Sequence, residues 1–253
     1  MRASAAILLA ASWLSPSYAA GAPSVSIGYA AEDYSFANSG ALRTVEGRAP
    51  FGAWTAMARA DSLRRFGQSD QEGAAGVAWK GEGQGASLWL GGTPAADILP
   101  RAYAEAAYDR ALRRGLYLEA AARVSDYVPA KVYGGSLAVF WQVLPTLELT
   151  GRVGQTQTRF RAAGDKSYPG FLAKAKLGSS EGRAWTGVSY GSYKEAFEAG
   201  APGGTGAFSA GVYGLEAGAR LLPGLTMRAG FEYEDRDNGT FVRRWTLGAG
   251  WDF

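Results

Sequence analysis

The sequence predicts an all-β protein, an antiparallel up-and-down transmembrane β-barrel of about fourteen strands with twelve as the alternative, and three observations carry this. The chain ends in TFVRRWTLGAGWDF, where Trp245, Leu247, Ala249, Trp251 and Phe253 share one face and Arg244, Thr246, Gly248, Gly250 and Asp252 the other. That is the period of a strand. An apolar face ending in aromatics, opposite a polar one, suits a wall between lipid and an enclosed interior. Second, wherever a strand can be oriented its ionised side chains lie opposite the apolar face: Arg59, Asp61, Glu105, Glu119, Arg123, Glu148, Arg152, Lys174, Lys176, Glu216, Arg220, Arg228, Glu232, Glu234 and Arg244. A Lys or Arg facing lipid at the midplane costs about 2–4 kcal/mol. A handful of misplaced charges would cancel a native stability of about 5–15 kcal/mol. Third, the short connections APFG, GEGQ, RALRRG, QVLPT, GSSEGR and LLPG alternate with a set that includes the longer TPAADILP, FRAAGDKSY and KEAFEAGAPGGT. Short periplasmic turns and longer extracellular loops alternate in this way in outer-membrane barrels.

The N-terminus sets the compartment. MRASAAILLAASWLSPSYAA has one cation at Arg2, an apolar run from Ala5 to Leu14, and small residues at Ser17 and Ala19. This predicts a secretory signal over residues 1–19 and a barrel domain over 20–253. The apolar run is shorter than the ~20 residues a spanning helix needs. Loss of Arg2 with the leader leaves 25 basic side chains against 23 acidic, with no basic block of the kind nucleic acid requires. The chain has no cysteine, so stability must come from packing or from a membrane. Its 36 glycines, 13% aromatics and 10 prolines suit many strands joined by tight turns.

Taken in order, Val25, Ile27 and Tyr29 alternate with Ser24, Ser26 and Gly28 in a first strand. The segment ALRTVEGRAP cannot be oriented, because Leu42 shares a face with Thr44 and Glu46 while Arg43 shares one with Val45. Trp54, Ala56, Ala58 and Ala60 oppose Met57, Arg59 and Asp61; the polar stretch Gln68 to Glu72 then reads as a loop before Ala75, Val77 and Trp79. Ala86, Leu88 and Leu90 make the next strand. Residues 101–124 are rich in helix formers, yet period two sorts them: Ala102, Ala104, Ala106 and Tyr108 oppose Tyr103, Glu105 and Asp109, and Leu116, Leu118, Ala120 and Ala122 oppose Glu119, Ala121 and Arg123. Later strands carry Leu137, Val139 and Trp141; Leu147, Leu149 and Val153; Phe171, Ala173 and Ala175; Thr186, Val188 and Tyr190; Tyr213, Leu215 and Ala217; and Met227, Ala229 and Phe231 on their apolar faces.

Parity adds a register. Inward positions on either side of LLPG and of Asp235–Gly239 are all even-numbered, so each connection holds an odd number of residues. Asn238-Gly239 therefore ends a three-residue bulged loop and is not a two-residue type I′ turn. This register sets Glu232 opposite Arg244 and Glu216 diagonal to Arg228, and it predicts lumen charges paired across strands.

The run ILPRAYAEAAYDRALRRGLYLEAAARVSDYVPAKVYGGSLAVFWQVLPTLELTGRVG, with RRFG at Arg64 to Gly67 and the aromatic C-terminus, resembles the YaiO-type outer-membrane β-barrel domain. The resemblance implies a barrel in the Gram-negative outer membrane and association with envelope or polysaccharide functions, polysaccharide export components among its partners. It brings no reaction and no functional residue. The terminal set Trp245, Leu247, Ala249, Trp251 and Phe253 also resembles the signal read by the barrel-assembly machinery.

The absence of histidine excludes a Ser-His-Asp arrangement, and without Cys or His a soft transition-metal site has no ligands. No cofactor, metal or catalytic residue is expected. Three functions compete: a narrow channel for small solutes or polysaccharide, a plugged structural or envelope-assembly barrel acting through its extracellular loops, and a hydrolase using carboxylates alone, such as Glu232 and Glu234. Membrane fractionation and a gel run with and without boiling check the fold class: the mature protein should be extracted only with detergent and migrate anomalously until boiled. Free solubility in water would overturn it.

Overall fold

The structure is a computed structural model describing residues 22–161, 164–179, 183–195 and 207–253. The leader expected over 1–19 and most of the connection 194–205 lie outside these residues. The strands are β1 Ser24–Tyr34, β2 Gly40–Phe51, β3 Trp54–Arg65, β4 Gln68–Gly81, β5 Gln84–Gly92, β6 Ala102–Arg113 and β7 Leu116–Asp126. They continue as β8 Ala130–Leu144, β9 Leu147–Phe160, β10 Lys166–Gly178, β11 Ala184–Glu195, β12 Phe208–Leu222, β13 Leu225–Arg236 and β14 Phe241–Asp252. Each pairs antiparallel with the next, and β1 closes on β14 from Ser24↔Asp252 to Tyr34↔Val242. Closure leaves no sheet edge, the one way strands can cross hydrocarbon with every backbone group paired. Strands about 4.8 Å apart and tilted by about 40° make fourteen of them a cylinder roughly 28 Å across its backbone.

The wall alternates as predicted. Ile27, Leu90, Val153, Val188, Leu215 and Leu247 lie 54–60% exposed on its outer surface. Aromatics edge this apolar band. Toward the end holding both β1 and β14 termini, here the turn end, Phe51 pairs with Trp54 and Trp54 with Trp79. Toward the other end, the loop end, Phe171, Tyr190 and Tyr213 form a continuous row with ring centres 5.7 and 5.1 Å apart, and Phe231 packs on Trp245 at 4.4 Å. Among described residues the outer surface at the loop end then becomes polar.

Three local readings are decided here. Gln68–Glu72 is strand and not loop: Asp70 and Glu72 are buried toward the interior, and the chain reverses at Phe66-Gly67, both at positive φ (55° and 80°). A polar segment was legible as loop only because a charged inward face and a solvated loop share one composition. In β2, Leu42, Thr44 and Glu46 face in while Arg43 and Val45 face out. The β13–β14 connection is the three-residue form, with Arg236 N–H donating to Thr240 O and Gly239 at φ 77°. The registers Glu232↔Arg244 and Gly218↔Arg228 follow, but the β12–β13 connection is the two-residue Pro223-Gly224 and not an odd-numbered one, the even register being restored by an irregularity between Arg220 and Leu222.

Leu215, 58% exposed in the apolar band, gives the test of orientation. Leu215→Arg should lower the unfolding free energy in lipid by about 2–4 kcal/mol, read from urea unfolding in liposomes.

Candidate functional site: a lumen closed at one end

The inward charges sort by wall. Strands β1–β7 contribute Glu32, Glu46, Asp61, Asp70, Glu72, Glu105, Asp109 and Glu119 against Arg48, Arg59, Arg65, Lys80 and Arg123. Strands β8–β14 contribute Glu148, Glu216, Glu232, Glu234 and Asp252 against Arg152, Lys166, Lys174, Lys176, Arg220, Arg228, Arg236 and Arg244. One wall is acid-rich and the facing wall base-rich, which sets a field across the lumen.

Ion pairs tie these side chains together in three ways. Some join register partners: Arg123 bonds Glu105 at 3.0 Å, and Arg244 stands opposite both Glu32 and Glu232 and bonds each, Glu32 at 2.9 Å. Some run along one strand, as in Arg59–Asp61 at 2.9 Å, Arg48–Glu46 at 2.7 Å and Arg236–Glu234 at 2.5 Å. A third set steps over a whole strand. Arg65 reaches Glu32 at 2.6 Å past Gly40, Arg152 reaches Glu119 at 2.8 Å past Ala138, and Lys174 reaches Glu216 at 2.5 Å past Gly187. The small residue is required: a Cβ on Gly40 or Gly187 would come within 2.9 Å of the passing carboxylate.

Glu216 is therefore held by Lys174, with Arg228 at its diagonal position lying along Gly248. Lys176 faces Glu148 in register but carries its ammonium to the Trp185 ring, 4.9 Å from its centre. Arg220 is exposed at the turn end. Glu232 and Glu234 each bind a guanidinium, an arrangement that favours holding the wall over hydrolysis. Tyr103, and Trp89, which the sequence reading did not single out, complete the interior. Arg59 donates to Tyr103 Oη at 2.8 Å and lies over Trp89, and Arg123 stacks on Tyr103 at 4.0 Å, which links β3 to β7.

The two ends differ. At the turn end the inward Lys80, Gln142, Arg220 and Asp252 are exposed. At the loop end the interior is packed. Connection 93–101 folds inward, and the backbone N–H groups of Asp97, Ile98 and Leu99 all donate to Asp70 Oδ2 at 3.0, 2.6 and 2.7 Å. Three donors on one buried carboxylate oxygen make a charge-assisted seat. From it Ile98, 3% exposed, enters an apolar cluster with Leu63 and Leu42 of β3 and β2 and with Val132, Ala130 and Phe160 of β8 and β9, strands on opposite sides of the cylinder. Beside it Phe36 and Phe66 pack on Tyr34, and Arg236 lies over Phe36 and Phe208 at 5.2 and 4.2 Å. The sequence signal for the seat existed, an inward Asp ahead of DIL, but was hidden once Gln68–Glu72 was read as a loop.

No family profile and no curated protein matches the chain. Solved structures do. A bacterial polysaccharide outer membrane secretin aligns with TM-score 0.60 at 10% identity over 93% of this chain and 99% of that one. The CymD monoaromatic hydrocarbon channel aligns with TM-score 0.61 at 6% identity over 92% and 89%, and the KdgM porin with 0.52 at 10% over 90% and 99%. The class is thus defined by fold: a closed fourteen-stranded antiparallel barrel of the kind seen in outer-membrane porins.

Glu32 is shared by three lumen groups, Arg65, Arg244 and Tyr34. Glu32→Ala strands the buried Arg65 guanidinium, while Arg244 keeps Glu232, and should cost about 3–5 kcal/mol in urea unfolding. Glu105→Ala, which breaks a pair with one partner 28% exposed, should cost about 1 kcal/mol or less.

Proposed function

We propose that the protein is an outer-membrane barrel whose lumen is a narrow conduit, open toward the periplasm at the turn end and shut at the loop end by connection 93–101. The observation that carries this is the Asp70 seat. The closing element is a connection between strands, seated on Asp70 and on the cluster around Ile98, and it can be displaced without unpairing any strand. Displacing that connection would open a passage between the acid-rich and base-rich walls, suited to small polar solutes or an emerging polysaccharide strand. The aligned structures named for polysaccharide secretion, hydrocarbon passage and porin activity support a channel reading without choosing among these cargoes. The same reading places the outward Trp245, Leu247, Trp251 and Phe253, 42–71% exposed, together with Ala249, before the barrel-assembly machinery, and keeps YaiO-type membership and polysaccharide export components as parts of the proposal. The second reading, a closed envelope-assembly barrel, is favoured by the dense packing of the mouth.

Planar bilayers separate the two. Wild type should be silent or open only in brief steps, and Asp70→Ala should give long-lived current steps, reproduced when residues 95–99 are replaced by Gly-Ser. Silence from both variants, each still heat-modifiable on a gel, would leave the closed barrel.

A further inference from the structure

The outer surface at the loop end carries an arrangement that the lumen does not use. Arg43 on β2, Arg64 on β3 and Arg243 on β14 are exposed and point outward; β2 and β14 flank β1, and β3 lies beyond β2. Arg43 stands opposite Ser62 and Arg64 opposite Ala41, so the two are diagonal neighbours with Cα atoms about 7–8 Å apart. Arg243 stands opposite Asp33 but turns over the Phe241 ring, 4.9 Å from its centre. Among the described residues none of the three forms an ion pair, while the arginines of the packed lumen do. The outward positions between them are Ala31 and Ala41, which leave a shallow floor of methyl groups beside Arg43 and Arg64, and Asp33, whose exposed carboxylate stands on the Arg243 side. Tyr29, next to Arg43 in register, and the neighbouring Val45 carry the surface down into the apolar band.

An outward guanidinium beside the aromatic edge of a membrane-spanning wall stands at headgroup depth, where its available counter-ion is lipid phosphate. Guanidinium matches phosphate with two parallel hydrogen bonds. The group spans three strand spacings, roughly 14 Å, wider than one phosphodiester but matched by a headgroup bearing two separated phosphates.

We propose that Arg43, Arg64 and Arg243 form a clamp for a phosphorylated glycolipid of the outer leaflet. The clamp rests on the orientation given above, loop end outward, and is independent of whether the lumen conducts. Native mass spectrometry of the folded protein in micelles tests it, with bisphosphorylated lipid A, the same lipid dephosphorylated, and phosphatidylglycerol as probes. Wild type should retain bisphosphorylated lipid A best. The double variant Arg43→Gln/Arg64→Gln should lose about thirtyfold in retention, from two basic side chains removed from a charged lipid surface, while Arg110→Gln, on the outer wall near the turn end, should not change it. A gel shift on boiling confirms that each variant is folded. Equal retention of the dephosphorylated lipid, phosphatidylglycerol bound as well as lipid A, or an unaffected double variant would each overturn the proposal. A silent Asp70→Ala channel would not bear on it.

Discussion

Hydrocarbon does not tolerate an unpaired charge or an unpaired peptide group, and everything in this molecule follows from that exclusion. Closing β1 on β14 satisfies the backbone without an edge. Alternation satisfies the side chains, since a strand of period two can put every ionised group on one side of the wall. The outward arginines beyond the loop-end aromatics respect the same rule, because they stand where the apolar band has ended.

The exclusion transfers a problem to the interior, where the ionised groups of both walls share a cylinder too narrow to leave them all to water. Many are neutralised by pairs, Asp70 by backbone N–H groups and Lys176 over the Trp185 ring, and the geometry of the pairs depends on what lies between them. Glu32, Glu119 and Glu216 reach partners two strands away because Gly40, Ala138 and Gly187 stand in the gaps. Such links cross-brace the wall beyond what the backbone ladder supplies. Against that braced wall, connection 93–101 is held by the Asp70 carboxylate, by the inserted Ile98 with Leu99 and the buried Pro100, and by Arg101 N–H on Asp126 O, ties that involve no strand ladder of its own.

Much of this was legible from residue order. The lipid face from Val25 to Phe253 could be read, as could the fourteen strands and the register that sets Glu232 against Arg244, because parity and alternation are local properties of consecutive residues. β2 could not be oriented, since Leu42 faces in and Arg43 faces out near the loop end, where the lipid rule no longer applies. Gln68–Glu72 was misread for the same reason: once the outward face leaves hydrocarbon, its polar residues no longer distinguish strand from loop. The Asp70 seat was lost with it.

What the order of residues determined by itself was which side chains meet lipid and which do not, because that sorting is written in period two and enforced by a penalty of a few kcal/mol per error. Which inward charge meets which, and whether the cylinder is open, only the tertiary structure decided. Those contacts join strands distant along the chain, pass over small residues, and bring Ile98 against a wall on the far side of the barrel.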